Sequence, residues 1–171
     1  MLNKVVVLII TVLTGLSLAQ DINKKIDDEG SNIPILVGEC TREAFQDTNY
    51  SWWWNDQYNN YDVDTTVADS VKDKLVNYGI EVVMGSWCSD SRRQVPRLFK
   101  ILDYIHYPSD DVKIICVDRE LKTGGHEIDS LDIKRIPTII IYKDGKEKGR
   151  IIERPKISLE KDLLNILDNQ K

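Results

Sequence analysis

The chain has 171 residues, of which 42% are apolar and 30% are charged, and its formal net charge is −5 at pH 7. This length and composition fit one globular domain with its own core and exclude an intrinsically disordered chain. The acidic balance argues against proteins that bind nucleic acid or anionic lipid.

Residues 1–19 have the features of a secretory signal peptide. Lys4 is the only charged residue before Asp21, residues 5–18 are almost wholly apolar, and Ser17-Leu18-Ala19 forms a small-x-small cleavage site. An uncleaved membrane anchor is the alternative, but this run is short for a bilayer span, which needs about 20 residues. We therefore expect an exported protein, periplasmic or extracellular, with no integral membrane span after cleavage.

Residues 20–61 are predicted to form an extension outside the main domain. Its polar start, residues 20–32, is expected to be a flexible leader, and the apolar run IPILVG (33–38) is typical of a strand. Trp and Tyr are concentrated in the rest of this extension. Their abundance favours rings that pack over the domain, and a platform for carbohydrate or peptide is the alternative.

Residues 62–171 carry the pattern of an α/β domain. The strands and helices alternate, which predicts a parallel pair of central strands, and an Asp-Gly turn adds an antiparallel hairpin at the edge. The predicted elements are a helix from a cap at Asp64 to a stop at Gly79, a strand at 80–84, a helix at 89–105 kinked by Pro96, a strand at 112–117, a short helical piece at 127–131, strands at 138–142 and 149–153, and a last helix capped by Ser158.

Three cysteines are present, and an odd number in an exported protein leaves at least one free or intermolecular thiol. Cys88 stands where a buried strand gives way to a helix, and the N–H groups and dipole of a helix N-terminus favour the thiolate, which is the nucleophile in disulfide exchange. Arg92 and Arg93 add positive charge nearby, and we expect the Ser91 hydroxyl to donate a hydrogen bond to the sulfur. Asp90 would oppose this effect if it pointed inward.

Three stretches resemble the thioredoxin superfamily. SWCSDS (86–91) matches the family's W-C-x-x-C motif with Ser91 in place of the second cysteine, and Pro96 follows Cys88 by eight residues, where thioredoxins also have a proline. LDIKRIPTIIIYKDGK (131–146) resembles the family's segment around its cis-proline. The resemblance covers roughly residues 62–168 and implies a three-layer α/β/α sandwich with a mixed central sheet. The signal peptide and the aromatic extension resemble exported thioredoxin-like proteins.

The resemblance also implies the roles of the site residues. Cys88 and Ser91 would be the catalytic residues, and Trp87 would cover one side of the sulfur. The implied substrate groove is formed by Ile136, cis-Pro137 and Thr138, with an extended client paired to the backbone of residue 136.

Two departures from the family pattern change the expected chemistry. Ser91 cannot attack a mixed disulfide, so release of the substrate by a second active-site thiol is lost. Val82 occupies the position, six residues before Cys88, where the family often has a buried acid. Together these changes predict a protein that is not built for net dithiol reduction.

The other two cysteines and one histidine are the remaining candidate site residues. Cys116 lies in an apolar strand and is expected to be buried and inert, whereas Cys40 is a possible resolving thiol that could reach Cys88. His126 lies beside two glycines and two acidic residues without a second histidine or a recognisable ligand spacing, so no metal is predicted. No nucleotide-binding loop is present either, and we expect no cofactor.

The first functional hypothesis is therefore an exported thiol–disulfide exchange protein with one active-site cysteine. Its partner would be a client protein or a low-molecular-weight thiol, and the reaction would be isomerisation, mixed-disulfide formation or thiol capture. One alternative is a binding module on the same fold without redox turnover. Another is a two-cysteine oxidoreductase that uses Cys40.

Overall fold

The computed structural model describes residues 21–125 and 128–169. The predicted signal peptide and His126 lie outside this range. The elements, in chain order, are β1 (Lys24–Asp28), β2 (Ser31–Cys40), a short 3₁₀ segment (Arg42–Gln46), α1 (Thr48–Asn59), α2 (Thr65–Lys74), β3 (Tyr78–Met84), α3 (Ser89–Tyr104), β4 (Val112–Cys116), β5 (Thr138–Lys143), β6 (Lys146–Ile152) and α4 (Leu159–Asp168).

A mixed six-stranded sheet organises the molecule, with the strand order β1-β2-β4-β3-β5-β6. The central strands β3 and β4 run parallel, as the alternation of elements predicts. The β5–β6 hairpin is antiparallel, and its turn residues Asp144 and Gly145 have positive φ angles of 52° and 70°. This left-handed backbone explains why Asp-Gly forms the turn, since glycine adopts positive φ without steric cost.

Helix caps also follow the sequence signals. The Asp64 side chain accepts a hydrogen bond from the N–H of Val67, and the Ser158 side chain accepts one from the N–H of Lys161. The predicted stop at Gly79 is wrong, because α2 ends at Lys74 and Gly79 lies inside β3. Asn77, which has a φ of 65°, makes the turn between the two elements.

The polar leader is the main correction to the sequence-based prediction. Residues 24–28 form edge strand β1, which pairs antiparallel with β2, and β2 pairs with β4 in the same sheet as the rest of the domain. Most β1 side chains are exposed or half-buried. A short, charged strand suits the edge of a sheet, where charge discourages pairing with other chains, but it lacks the apolar alternation that identifies a strand in sequence.

Both faces of the sheet are buried. Successive residues of a strand point to opposite faces, and Val82 and Met84 accordingly join the large cluster with the helices, whereas Val83 joins a smaller cluster. The smaller cluster packs against Trp87, Cys88 and four side chains of the loop after β4, namely Leu121, Ile128, Leu131 and Ile133. Residues 128–132 form turns where the sequence predicts a short helix at 127–131, and residue 127 lies outside the described range.

The aromatic extension packs into the large cluster. Phe45 stacks on Trp54 with ring centroids 4.6 Å apart, and Trp54 also contacts Phe99 of α3 at 5.4 Å. Trp53 is buried as well, whereas Trp52 is 59% exposed. The rings therefore serve mainly to pack α1 on α3. This agrees with the expectation that they pack over the domain rather than form a platform for carbohydrate or peptide. In the described part of the chain, no helix combines the length and apolarity that a bilayer crossing requires.

Candidate functional site

Cys88 lies at the N-terminus of α3, immediately after the loop that leaves β3. It is the N-cap residue, with φ −80° and ψ 127°, and its carbonyl accepts the first helical hydrogen bond from the N–H of Arg92 at 2.9 Å. The side chain is half-buried, and it is a free thiol. This position places Cys88 at the end of the helix where the first N–H groups have no helical partner, and a negative charge is favoured at such an end.

The segment before β5 meets the sulfur from the other side. The Ile136–Pro137 peptide bond is cis, and the Ile136 carbonyl oxygen lies 3.6 Å from the sulfur of Cys88. The structure therefore brings Cys88, Ile136 and Pro137 together, as the sequence predicts. Thr138 is buried, and its hydroxyl donates to the carbonyl of Arg135 at 2.7 Å, so it holds the loop in shape.

The Trp87 side chain packs in the same cluster as Cys88. Its indole Nε1 donates to the carbonyl of Val117 at 2.9 Å, which fixes the ring across the end of β4. A Cβ on Gly85 would come within 2.8 Å of this ring and of Ile136 Cδ1. A residue without a side chain is therefore needed at position 85 for Trp87 and Ile136 to pack this closely.

Ser91 does not make the hydrogen bond expected from its hydroxyl to the Cys88 sulfur. Its side chain is fully buried, and its Oγ accepts a hydrogen bond from the N–H of Gly85 at 3.2 Å. Ser91 thus ties the first turn of α3 to the strand–helix loop. Val82 is buried in the large cluster, so the position of the family's acid is apolar here.

The charges nearest to Cys88 in sequence are those of Asp90 and Arg92, at the start of α3. Arg92 folds back so that its Nε donates to the carbonyl of Ser86 at 2.6 Å. The carboxylate of Asp90 is neutralised by an ion pair with Arg154, at 2.9 Å between Nε and Oδ1. The half-buried Arg92 therefore remains as the cation of the first helical turn nearest to the loop.

Cys40 is the one predicted site residue that the structure separates from Cys88. It is buried in β2 within the large cluster, where its thiol donates to the carbonyl of Gly38 at 3.6 Å. Cys88 packs against the smaller cluster on the other face of the sheet. Cys116 is also buried in the large cluster, and burial raises the pKa of its thiol, with a further contribution from neighbouring Cys40.

Arg119 and Asp28 are among the residues of this site that sequence reasoning missed. Arg119 lies over the Trp87 ring, with Cζ 5.0 Å from the ring centroid. Asp28, at the end of β1, accepts hydrogen bonds from Arg119 Nε at 2.8 Å and Nη2 at 2.7 Å. These bonds hold the pKa of Asp28 below its usual range. The Asp-Glu-Gly sequence at 28–30 is a turn signal that could have revealed the hairpin, but its proximity to Trp87 depends on the tertiary fold.

Another contact ties β2 to the active-site loop. Ser86 is buried, and its hydroxyl accepts a hydrogen bond from the N–H of Leu36 at 3.0 Å. In the described part of the chain, no three His, Cys, Asp or Glu side chains converge as a metal site requires. The chemistry that these residues offer is that of one half-buried free thiol beside the cation of Arg92 and the backbone carbonyl of Ile136.

A sequence model of the family described as Thioredoxin matches residues 42–163, which is well over half of the chain. Among solved structures, an HIV epitope-scaffold has 16% identity and a TM-score of 0.49 over 68% of this chain and 79% of that chain. A protein of unknown function from Pseudomonas aeruginosa has 15% identity and a TM-score of 0.46 over 68% of this chain and 78% of that chain.

Thioredoxin O2 from Arabidopsis thaliana, in its oxidised state, has 22% identity and a TM-score of 0.34 over 52% of this chain and 72% of that chain. No curated protein sequence matches the chain at a significant level. The family match begins at Arg42, inside the segment predicted as an extension, so the aromatic helix α1 falls within it. The predicted thioredoxin-like fold with a mixed central sheet is confirmed, and the chain belongs to the thioredoxin family.

Proposed function

We propose that this protein is an exported thiol–disulfide exchange protein that acts through Cys88 alone. Membership of the thioredoxin family supports a thiol–disulfide redox function. The observation that carries the single-thiol mechanism is the position of the Cys88 sulfur. It lies at the start of α3, 3.6 Å from the Ile136 carbonyl, while the residue one turn later is a buried serine. Export is inferred from residues 1–19.

The exchange has two steps. The Cys88 thiolate attacks one sulfur of a client disulfide R–S–S–R′, a new S–S bond joins Cys88 to R–S, and R′–S⁻ leaves with the bonding electron pair and takes a proton from water. In the second step a thiolate from the client or from a low-molecular-weight thiol attacks the R–S sulfur. Cys88 then leaves as a thiolate, so that the protein is regenerated without a second thiol of its own.

The residues around Cys88 stabilise its thiolate and bind the client. The unpaired N–H groups of the helix end and the Arg92 guanidinium stabilise negative charge on the Cys88 sulfur. They do so both when the sulfur attacks the client and when it leaves in the second step. Trp87 precedes Cys88 in the loop, and the Ile136 carbonyl lies 3.6 Å from the sulfur. An extended client would pair with the backbone of the Ile136–Pro137 segment. Isomerisation or removal of a small thiol from a client suits this arrangement better than bulk reduction.

Two other functions predict different behaviour. In a binding module, the Pro137 segment and the exposed Trp52 would bind a partner without exchange. In a two-cysteine oxidoreductase, Cys40 would resolve the mixed disulfide, which conflicts with its burial on the opposite face of the sheet.

The test is a turnover assay with 2-hydroxyethyl disulfide as the substrate and reduced glutathione as the second thiol. We expect Cys88→Ser to lose at least about a hundredfold of the wild-type rate, because the thiolate is the nucleophile. Cys40→Ala, which removes a different thiol, should keep the wild-type rate per folded molecule.

The same variants separate the alternatives. Equal turnover by wild type and Cys88→Ser would refute exchange at Cys88. A binding module would be indicated if a client captured by the wild type were also retained by Cys88→Ser. A loss of turnover in folded Cys40→Ala would favour the two-cysteine mechanism.

A further inference from the structure

Two arginines reach the entrance of the Cys88 site from different parts of the chain. Arg92 follows Cys88 by one helical turn, and its side chain returns to the carbonyl of Ser86, two residues before the thiol. Arg119 comes from the loop after β4 and lies 5.0 Å over the Trp87 ring. The pKa of Arg92 is lowered mainly by burial and also by the charge of Arg119, while the charge of Cys88 acts in the opposite direction. The two guanidinium groups therefore lie on the two residues that precede Cys88, with Arg92 on the carbonyl of Ser86 and Arg119 over the ring of Trp87.

The carboxylate of Asp28 interacts with both Arg92 and Arg119. The Asp28 side chain is only 3% exposed and makes two hydrogen bonds to Arg119, and it also interacts electrostatically with Arg92. Within the described residues, no ion pair joins Arg92 to a carboxylate. Since Asp90 is paired with Arg154, the group formed by Arg92, Arg119 and Asp28 has two positive charges and one negative charge. This local excess of positive charge stands out in a chain whose net charge is −5.

The charge balance changes during exchange. While Cys88 is a thiolate, its negative charge compensates the excess. When Cys88 forms the mixed disulfide, that charge leaves with R′–S⁻, and one positive charge remains uncompensated beside the new S–S bond. An anionic group on the bound half of the client would restore the balance, in a half-buried place where charge interactions are stronger than in water.

Arg119 has the geometry to receive such a group. Its side chain is 48% exposed, and Asp28 takes its Nε and Nη2 donors, which leaves the Nη1 edge for another acceptor. The Trp87 ring and the Asp28 carboxylate together restrict the guanidinium, so less conformational entropy is lost when it binds an anion.

We propose that Arg92 and Arg119 select disulfides that carry a carboxylate close to the sulfur atoms. The carboxylate belongs to a small acidic disulfide or to an acidic segment of a protein client. This inference rests on the proposed exchange at Cys88. The first step of the exchange is the one already described, in which Cys88 attacks and R′–S⁻ leaves. The carboxylate of the retained R group then lies beside Arg119.

The test compares three symmetric disulfides: 3,3′-dithiodipropionate with two carboxylates, cystamine with two ammonium groups, and neutral 2-hydroxyethyl disulfide. Intact-mass measurements give the rate at which the Cys88 adduct forms with each disulfide. Each rate is divided by the rate at which 2-mercaptoethanol reacts with the same disulfide, which corrects for the disulfide's own reactivity. At low salt we expect the normalised anion-to-cation ratio to exceed about tenfold, and in about 0.5 M NaCl it should fall toward one, because salt screens the interaction.

Variants assign the effect to residues. Arg119→Gln should lower the ratio at least about threefold through the lost charge, while Lys72→Gln, an equal charge change on exposed α2, should leave it unchanged. Gly30→Ala is a second variant that keeps every charge. Its new Cβ would lie 2.9 Å from Arg119 Nη2 and displace the guanidinium, so the ratio should again fall.

Two disulfide-linked peptides, one with Asp and one with Asn beside the cysteines, identify the source of the carboxylate. A preference for the Asp peptide assigns the site to acidic protein segments, and a preference seen only with dithiodipropionate assigns it to small acids. Equal normalised rates for all three small disulfides and both peptides would overturn the selectivity while exchange at Cys88 still stands. Absence of a Cys88 adduct even with the neutral disulfide would overturn both proposals.

Discussion

The strand–helix loop of the site depends on two small residues. Gly85 has no room for a side chain beside Trp87 and Ile136, and its buried N–H donates to Ser91 Oγ at 3.2 Å. Ser91 therefore satisfies a backbone donor that would otherwise be buried without a partner. A cysteine at this position would supply a second thiol, whereas the serine supplies a structural acceptor.

Ser91→Ala should destabilise the protein by about 1–3 kcal/mol, because it leaves the buried Gly85 N–H without an acceptor. Urea denaturation measures this difference. Ser89→Ala is the matched control, since it removes the same hydroxyl from an exposed position of the same helical turn, and its effect should stay within about 0.5 kcal/mol. Equal stability of Ser91→Ala and Ser89→Ala would contradict the structural role of Ser91.

At the scale of elements, α1 is bound to α3 by rings and by polar contacts, which include two hydrogen bonds from Arg97 to Gln57. Arg42 makes two hydrogen bonds to Asp103, at 2.8 and 2.6 Å, and the Tyr58 hydroxyl donates to the same carboxylate at 2.6 Å. Trp54 lies between Phe45 and Phe99. This packing holds α3, and therefore the Cys88 end of α3, against the segment that precedes it.

Trp54→Ala should destabilise the fold by about 3–5 kcal/mol, as is usual for the loss of a buried large aromatic side chain. Trp52→Ala is the control two positions earlier, where the ring is 59% exposed, and it should cost less than about 0.5 kcal/mol. Thermal or urea unfolding measures both. If the two substitutions had similar effects, the assignment of α1 to the core would be wrong.

Elements with strong local signals could be predicted, and those without them could not. The caps at Asp64 and Ser158 and the Asp144-Gly145 turn are local devices, so their positions follow from sequence. Strand β1 has charged residues and few apolar ones, and it is stabilised by pairing with β2 rather than by its own pattern. Its identification requires the partner strand.

At the scale of the molecule, the sheet brings together parts of the site that are distant in sequence. Cys88 and the Ile136 carbonyl could be predicted as neighbours because both belong to motifs of a recognised family. Asp28 and Arg119 are 91 positions apart and belong to no such motif, so only the sheet order places their side chains together. The same order places Cys40 on the opposite face from Cys88, which sequence separation could not reveal.

The most direct test of the account is a non-reducing peptide map by mass spectrometry of the folded protein after exposure to neutral 2-hydroxyethyl disulfide. We predict one mixed disulfide per chain, on the peptide that contains Cys88, with Cys40 and Cys116 recovered as free thiols because both are buried. A Cys40–Cys88 bridge, or adducts that leave Cys88 unmodified, would contradict the claim that this single sulfur carries the exchange.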